Sequence, residues 1–508
     1  MNGSSFSPSK VSTGSSLLTG SDFPDPDVIR VDDIYYLVST TMHFCPGCAI
    51  LKSYDLIHWE WCGHLYDALD ETDARTLSNG QSCYGKGMWA PSLRWHDGTF
   101  YVCFAVVDKG VTHIYRTRDM ENGPWTLTVL SGLYYDPSLF FDGDGKAYII
   151  HGNSTLRITE LNEALTGPKP GGLDRVLAQS EHTKTLGYEG SHFYKINEKY
   201  YLFTIHSLPD RWMRVESCFL SDSLTGEFTG GVVFNDDQGY HGQGVAQGGV
   251  VDTFDGRWYA VFFQDRSAVG RTPVLIPMSW ENGMPVIGHD GKAPQEAANL
   301  TTNPGHICAP LAESDSFDSP ALKAMWEWNH APDDTLWRTG SGFLSLAAGR
   351  TDRELTGARN TLTVRCAYPV TEVTVRLDGS NLTPGGRAGL CALQYQWCAA
   401  ALRRTEEGFM LSLLKKPAND QHGEIIASDV PASETVTLKA VFDFTDMKDT
   451  VSFFYQENGA WLPLGAPQKV SFDLNHFAGV RAGLFHYSTE TAGGEALFSD
   501  FEYHIVSR

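Results

Sequence analysis

Short apolar segments alternate with polar turns along the first 300 residues, and helical periodicity is almost absent. In a representative stretch, residues 136–150, the apolar run DPSLFF is followed by the turn DGDGK and a second apolar run, AYII. Aromatic and β-branched residues on both sides of a turn rich in Asp and Gly predict a β-hairpin. This part of the chain is therefore predicted to be all-β.

The hairpin pattern occurs five times. The repeats begin at Asp25, Ala90, Asp136, Glu189 and Gln247, and an aromatic residue follows each start after 11 or 12 positions. Successive repeats start 65, 46, 53 and 58 residues apart, close to the length of one four-stranded blade. Five repeats predict a five-bladed β-propeller, and the alternative is an irregular β-sandwich with chance similarity.

A second β-rich region follows the repeats. Between Gly291 and Ser314 the chain is rich in Pro, Ala, Asn and Thr without periodicity, which predicts a linker. Later segments such as TEVTVRL at 371–377 alternate polar and apolar residues, as strands with one solvated face do. About ten such strands predict a jelly-roll, concanavalin-like β-sandwich. The predicted domains are a disordered or extended N-terminus (1–20), the propeller (21–300), a linker (301–314) and the sandwich (315–508).

Composition and charge exclude several classes of function. The chain has 39 Lys and Arg against 61 Asp and Glu, a net charge of −22, whereas nucleic-acid binding needs a basic surface. No apolar run approaches the ~20 residues of a membrane helix. The N-terminal stretch lacks the basic and apolar regions of a secretory signal peptide, so we predict a cytoplasmic location. Ten cysteines, mostly in strand-like contexts, are expected to be reduced.

Three of the five repeat starts carry a carboxylate: Asp25, Asp136 and Glu189. In a propeller the innermost strands line a central channel, so these side chains should meet at one mouth of it. Burying several like charges together is costly without a purpose. Paired carboxyls flanking a scissile bond perform glycoside hydrolysis, one protonating the leaving oxygen and the other activating water or attacking the sugar. For the two Asp-Pro pairs the alternative is a turn, whereas Glu-Gly has no such preference.

These residues also carry a family resemblance. The motifs Pro24-Asp25-Pro26, Trp89-Ala90-Pro91, Asp136-Pro137-Ser138 and Glu189-Gly190 resemble those of glycoside hydrolase family 43, the β-xylosidases and α-L-arabinofuranosidases built on a five-bladed propeller. Residues 483–494 are similar to the C-terminal sandwich of the family's xylosidases. The resemblance implies that Asp25 is the general base, Asp136 the orienter and pKa modulator, and Glu189 the general acid. It also implies an inverting mechanism, in which the two carboxyls lie ~6.5–9.5 Å apart.

The resemblance extends to residues that bind the sugar. Arg271 matches the arginine that hydrogen-bonds the sugar in the −1 subsite, and Trp89 matches an aromatic residue of the pocket. Phe44, His43 and Tyr188 adjoin the active positions and are candidates for a sugar-stacking wall. The alternatives are a solvated loop charge for Arg271 and inter-blade core for Trp89.

Gln247 is a further candidate substrate-binding residue, and it stands where many family members carry a channel histidine that helps to hold calcium. We therefore expect no metal ligands and no required cofactor, with calcium in the channel left open. The implied activity is release of xylose from the non-reducing end of xylo-oligosaccharides, a β-1,4-xylosidase. The alternatives are an α-L-arabinofuranosidase acting on arabinoxylan or arabinan side chains, and a non-catalytic carbohydrate-binding propeller. The expected partners are xylo- or arabino-oligosaccharides, without nucleic acid or membrane, and a homo-oligomer is left open.

Overall fold

The computed structural model describes residues 17–180, 185–294, 301–416 and 423–506. These residues form 35 strands and four 3₁₀ turns, at Val107–Lys109, Ser267–Val269, Leu355–Gly357 and Thr445–Met447. None of their helices is long and apolar enough to cross a membrane. The predicted all-β class is confirmed. The prediction for residues 1–20 lies almost entirely outside the described residues.

The first twenty strands form five antiparallel sheets of four, each in chain order. Blade 1 contains β1 (Asp27–Val31), β2 (Ile34–Ser39), β3 (Gly47–Ser53) and β4 (Glu60–Tyr66). Blade 2 contains β5 (Met88–His96), β6 (Thr99–Val106), β7 (Val111–Thr117) and β8 (Thr126–Leu130). Blade 3 contains β9 (Ser138–Phe141), β10 (Ala147–His151), β11 (Thr155–Glu160) and β12 (Asp174–Gln179). Blade 4 contains β13 (Glu189–Ile196), β14 (Lys199–Ser207), β15 (Arg214–Ser221) and β16 (Thr229–Phe234). Blade 5 contains β17 (Val245–Asp252), β18 (Trp258–Asp265), β19 (Arg271–Glu281) and β20 (Met284–Ile287).

The inner hairpin of blade 3 illustrates why the repeats fold in this way. Tyr148 pairs with Phe140 across the two strands. Gly145, with φ 79°, closes the turn by donating its N–H to the Asp142 carbonyl at 2.9 Å. Turn chemistry and apolar strands therefore agree, and the predicted five-bladed propeller is confirmed.

The segment before blade 1 runs along blade 5 and closes the ring. Leu18 and Phe23 donate their N–H groups to the carbonyls of Pro273 and Arg271, each at 3.0 Å. Gly249 donates its N–H to the Pro26 carbonyl, also at 3.0 Å. These bonds bring the start of β1 to the start of β19, so Asp25 and Arg271 become neighbours.

The remaining fifteen strands form a two-sheet sandwich. One sheet has seven strands in the order β21 (Glu327–Trp328), β24 (Leu362–Arg365), β34 (Arg481–Ser488), β26 (Gly386–Leu393), β27 (Cys398–Thr405), β28 (Gly408–Lys415) and β29 (Ile425–Ala432). The other has the order β22 (Trp337–Gly340), β23 (Phe343–Ala347), β35 (Glu495–Ile505), β25 (Val370–Asn381), β30 (Thr435–Asp443), β31 (Thr450–Glu457) and β32 (Ala460–Pro463), with β33 (Gln468–Lys469) also pairing with β31. The expectation of about ten strands was too low, because strands of two to five residues leave no alternating pattern.

The core of the sandwich lies between its two sheets. Leu390 and Leu413 on one sheet and Val375 and Phe498 on the other belong to one buried cluster. Alternation along each strand directs these side chains inward, as in other sandwiches. The predicted sandwich is thereby confirmed.

Backbone and charged contacts join the sandwich to blade 1. The Cys45 N–H donates to the Trp328 carbonyl at 3.0 Å, and the Trp328 N–H donates in return. The fully buried Glu327 accepts from Arg365 at 2.9 Å and also pairs with Arg481 and with His64 of β4. The sandwich is therefore fixed against the propeller.

The ten cysteines are all free, and eight of them are buried. Burial raises the pKa of the Cys45 thiol to about 12, and it also raises the pKa of Cys48. A thiol that resists ionisation is a poor nucleophile and a poor metal ligand. The C-x-x-C pattern at 45–48 therefore has a packing role.

Candidate active site

Equivalent residues at the mouth of the propeller adopt left-handed backbone conformations. The φ values are 51° for Asp25, 40° for Ala90, 44° for Asp136, 63° for Gly190 and 56° for Gln247. Such conformations are unfavourable for residues other than glycine and persist where the surrounding structure enforces them, often at active sites.

In the fourth repeat the equivalent residue is Gly190 rather than Glu189. The register of the inner hairpin shifts between Glu189 and His192, just as it shifts around Ala90 in blade 2 and around Gln247 in blade 5, which makes Gly190 the counterpart of those two residues. A Cβ atom on residue 190 would lie 2.5 Å from the side chain of Gln247. The fourth repeat therefore starts at Gly190 and not at Glu189 as predicted, and the acid lies one position before the mouth residue.

Asp25 is held by two strong donors. Thr40 Oγ1 donates to Oδ2 at 2.7 Å, and Arg271 Nη1 donates to Oδ1 at 2.7 Å. Asp25 is only 5% exposed, so this ion pair is largely shielded from water and stabilises the carboxylate. Thr40 also accepts the Ala90 N–H at 2.9 Å and so connects blades 1 and 2. No sequence signal distinguished Thr40 from other threonines at strand ends.

Asp136 and Glu189 hold protons more tightly than ordinary carboxyls. Burial, together with the negative charges of Glu189 and Asp25, raises the pKa of Asp136 well above its usual range. Its Oδ2 accepts the Gly190 N–H at 3.0 Å. Burial raises the pKa of Glu189 to about 7, with Arg214 opposing and Asp25 adding to the shift. The three carboxyl groups therefore act on one another's charge and form one site.

Two groups from blade 3 reach the acid. Asn153 Nδ2 donates to Glu189 Oε2 at 2.6 Å, and the Tyr135 hydroxyl donates to the same oxygen at 3.4 Å. The backbone carbonyl of Glu189 accepts from Thr204 Oγ1 at 2.6 Å. These contacts leave Glu189 Oε1 as the oxygen available to a ligand. Asn153 and Tyr135 were not predicted, because both lie in loops without a motif.

Arg271 and Trp89 are brought together by a residue of the sandwich. Phe477 lies with its ring centroid 4.7 Å from the Arg271 guanidinium and 5.2 Å from the Trp89 ring. Trp89 also contacts Tyr135 at 6.1 Å. Arg271 Nε and Nη2 are buried without a hydrogen-bond partner among the described residues.

Asp22 fixes the loop that carries Phe477. Its carboxylate accepts the N–H groups of Arg271 and Gly479, each at 2.7 Å. One buried side chain therefore joins the arginine of the site to the sandwich. Neither Asp22 nor Phe477 could be found from the sequence, because each acts through a residue hundreds of positions away.

His43 and Phe44 do not form a sugar-stacking wall. They are 2% and 1% exposed, because the sandwich covers them. Arg481 lies 3.6 Å from the Phe44 ring centroid, and His43 packs against His330 and His476 at 4.9 and 5.1 Å. The predicted binding role of these two residues is corrected to packing between the domains.

Tyr188 and Gln247 also make packing contacts. The Tyr188 ring lies 5.1 Å from His206 and 5.4 Å from Phe219, in a groove between blades 3 and 4. Gln247 is buried beside Gly190, and its N–H donates to Glu216 Oε2 at 2.7 Å. Burial raises the pKa of Glu216 to about 8. Tyr188 thus packs between blades, and Gln247 supports the mouth.

A guanidinium group crosses the channel where β1, β5 and β9 meet. Arg94 Nη1 donates to Asp27 Oδ2 at 2.6 Å, and Nη2 donates to Ser138 Oγ at 2.8 Å. His192 Nε2 lies 3.7 Å from Asp27 Oδ1. Arg94 already balances the charge of Asp27, and the described residues include no cluster of three or more His, Cys, Asp or Glu suited to a metal. These residues do not fit a channel calcium ion.

Comparison with known proteins gives two domain matches. Residues 18–285 match the family model described as "Glycosyl hydrolases family 43". Residues 314–504 match "Beta xylosidase C-terminal Concanavalin A-like domain". The two matches correspond to the propeller and the sandwich.

Several individual proteins are similar over most of the chain. A beta-xylosidase of Formosa agariphila is 26% identical over 431 residues, covering 73% of this chain and 72% of that protein. The non-reducing end alpha-L-arabinofuranosidase BoGH43B of Bacteroides ovatus is 32% identical over 337 residues, covering 63% and 62%. The solved structure of a bifunctional GH43-CE protein of Bacteroides eggerthii has a TM-score of 0.89 and 37% identity over 96% of this chain, which spans 63% of that longer one.

Proposed function

This chain belongs to glycoside hydrolase family 43 and is a glycoside hydrolase, and we propose that it releases xylose from the non-reducing end of xylo-oligosaccharides with inversion of configuration. The observation that carries the proposal is the contrast between Asp25, ion-paired to Arg271 at 2.7 Å, and Glu189, whose pKa burial raises to about 7. An ionised base and a protonated acid are the two partners that inverting hydrolysis requires.

In the proposed reaction, the bond between the anomeric carbon and the leaving oxygen breaks, and its electron pair stays with that oxygen. Glu189 gives its proton to the leaving oxygen. A water oxygen attacks the anomeric carbon from the opposite face and loses a proton to Asp25. Asp136 is buried beside Glu189 and accepts the Gly190 N–H; because ionised carboxyls this close repel each other, the group helps to retain a proton in the site.

The shape of the site supports an exo-acting enzyme for short chains. Trp89 and Phe477 form an aromatic wall next to Arg271, and Phe477 is contributed by the sandwich. The guanidinium of Arg271, paired with Asp25 at 2.7 Å, lies against this wall and beside the general base. A wall built from two domains closes one side of the mouth, which favours oligosaccharides over polymer.

The second candidate is an α-L-arabinofuranosidase. It is supported by the similarity to the arabinofuranosidase of Bacteroides ovatus. Xylopyranose and arabinofuranose can present similar hydroxyl arrangements to the same arginine and carboxylates. Activity on both pentosides is compatible with the site.

A substrate panel tests the proposal. Rates would be measured on xylobiose and on chromogenic β-D-xylopyranoside, α-L-arabinofuranoside and β-galactoside. We expect turnover of the xylosides, with some turnover of the arabinofuranoside. A protein that is inert on both pentosides but active on the galactoside would contradict the proposal.

We also propose that turnover needs no metal ion, which the Arg94 contacts in the channel support. A cytoplasmic location stays a prediction from the sequence.

A further inference from the structure

A second arginine, Arg214, acts on the general acid. It begins β15, which pairs with β14, and β14 in turn pairs with the strand that Glu189 begins. Glu189 pairs with Ile205 and Arg214 pairs with Ser207, two residues apart on β14, so both side chains lie on the same face of blade 4. Arg214 is the charged group that most lowers the pKa of Glu189. Arg271, the other arginine of the site, is already paired with Asp25 at 2.7 Å.

A cation in this place works against the proposed chemistry. A positive charge within about 4–6 Å stabilises an ionised carboxylate and lowers its pKa by about 1–3 units. A general acid must instead keep its proton at the working pH. If Arg214 paired directly with Glu189, the acid would be ionised at neutral pH.

Asp265 engages Arg214 from blade 5. Its Oδ2 accepts from Arg214 Nη1 in an ion pair. Phe263, two residues earlier and so on the same face of β18, places its ring centroid 5.2 Å from the guanidinium. The side chains of Arg214 and Asp265 are 14% and 23% exposed, so solvent screens this pair only partly. An anion and an aromatic ring thus fix the guanidinium.

The other charged and polar groups facing Glu189 come from four further elements. They are Asp25 before β1, Tyr135 and Asp136 before β9, Asn153 between β10 and β11, and Arg271 at the start of β19. The charges of Asp25 and Arg271 offset each other, and Asp136, whether negative or neutral, cannot stabilise an ionised Glu189. The group that can most strongly ionise Glu189 is therefore Arg214.

We propose that Asp265 is a positioning residue: by binding Arg214 it prevents that arginine from pairing with Glu189, and so keeps the acid protonated at working pH. This inference rests on the proposed function of Glu189 as the general acid. It concerns a residue that makes no contact with the three carboxylates itself.

The test is the pH profile of kcat/KM on xylobiose for Asp265→Asn. Freed from its partner, Arg214 should lower the pKa of Glu189 by about one unit. The basic limb of the profile should then move to lower pH by the same amount, and kcat/KM at pH 7 should fall about fivefold. Activity on the acidic plateau should be retained. Arg214→Met should move the limb upward, and the double variant should follow Arg214→Met, because Asp265 acts only through Arg214.

Asp252→Asn is the matched control. It makes the same chemical change in the same blade and breaks an ion pair with Arg30 of 2.7 Å at the far end of β17. This control should leave the profile unchanged. The inference would be overturned if the basic limb of the Asp265→Asn profile did not move, or if kcat/KM fell by the same factor at every pH.

A second readout separates this inference from the proposed function. Titration of ¹³C-labelled glutamate side chains by NMR, with the Glu189 signal assigned by its absence in Glu189→Gln, reports the acid without any substrate. A lower titration midpoint for Glu189 in Asp265→Asn supports the inference even if the wild type does not hydrolyse pentosides. An unchanged titration contradicts it even if the wild type is an active xylosidase.

Discussion

Lowering the pH from 7.5 to 5 should weaken the contact between the propeller and the sandwich. Three histidines meet there: His43 from blade 1, and His330 and His476 from the sandwich, with exposed fractions of 2%, 0% and 1%. Both ring nitrogens of His476, and Nδ1 of the other two, have no hydrogen-bond partner among the described residues. The cationic Arg481 lies close by. Asn329, whose Oδ1 lies 3.3 Å from His43 Nε2, favours the charged form of that ring, but burial and the neighbouring cation outweigh it.

The size of the effect follows from the pKa values. Burial, with Arg481 adding, lowers the pKa of His476 to about 3, and burial also lowers the pKa of His43 and His330 well below the usual value. Below pH ~6.5 the unfolded chain binds protons that the folded protein does not, so stability falls as the pH drops. At pH 5 this amounts to about 2 kcal/mol for each histidine, and roughly 6 kcal/mol for three independent ones. Typical domains have about 5–15 kcal/mol in total.

Urea unfolding at pH 7.5 and 5, followed by tryptophan fluorescence, measures this loss. In His476→Phe a ring remains but the titration is gone, so the loss between the two pH values should shrink by about 2 kcal/mol. His504→Phe is the control, because His504 is 59% exposed. An equal pH dependence in wild type and His476→Phe would refute the reasoning.

Three further experiments address the site and the channel. Asp25→Ala should abolish turnover on every substrate, whereas Glu189→Ala should strongly reduce turnover of xylobiose and reduce turnover of a xyloside with an acidic phenol leaving group much less. NMR of the first-formed sugar should show inverted configuration. Retention of configuration, or equal losses on both substrates in Glu189→Ala, would contradict the roles assigned. Phe477→Ala should lower kcat/KM for xylobiose about tenfold or more while the melting temperature changes little, and an unaltered kcat/KM would exclude Phe477 from the wall. Dialysis against EDTA should leave kcat unchanged, and a loss of activity that calcium restores would contradict metal independence. Arg94→Met should lower the free energy of unfolding, measured in urea, by about 3–5 kcal/mol, because it leaves the carboxylate of Asp27 buried without its cationic partner.

The propeller could be predicted because its signal is local. Each repeat contains both strands and the turn of one hairpin, as in residues 136–150, so a short window carries the whole pattern. The carboxyls at repeat starts then followed from the symmetry of the ring. The offset of Glu189 was missed because the left-handed backbone of Gly190 and the close approach of Gln247 to it are visible only in the folded chain.

The rest of the site depends on contacts across domains and blades. Phe477 meets Trp89 across 388 positions of sequence, and nothing in the segment FDLNHF identifies that partner. Phe44 was misinterpreted for the same reason. Its position in the sequence, close to catalytic residues, does not show whether its ring faces the pocket or, as here, packs against the sandwich domain. The Arg214–Asp265 pair likewise joins two blades and has no sequence motif.

The placement of Glu189, one position before the mouth residue of its blade, has a meaning beyond local geometry. A ring of identical hairpins would present the same side chain, at the same height and angle, from every direction. Hydrolysis needs the opposite, a proton donor facing a proton acceptor. Asp25 and Asp136 are themselves mouth residues, whereas Glu189 precedes the mouth residue of its blade, and successive residues of a strand point to opposite faces. A carboxyl displaced by one position in a single blade thus breaks the symmetry of a repetitive ring, and a directional reaction can take place on an otherwise nearly fivefold scaffold.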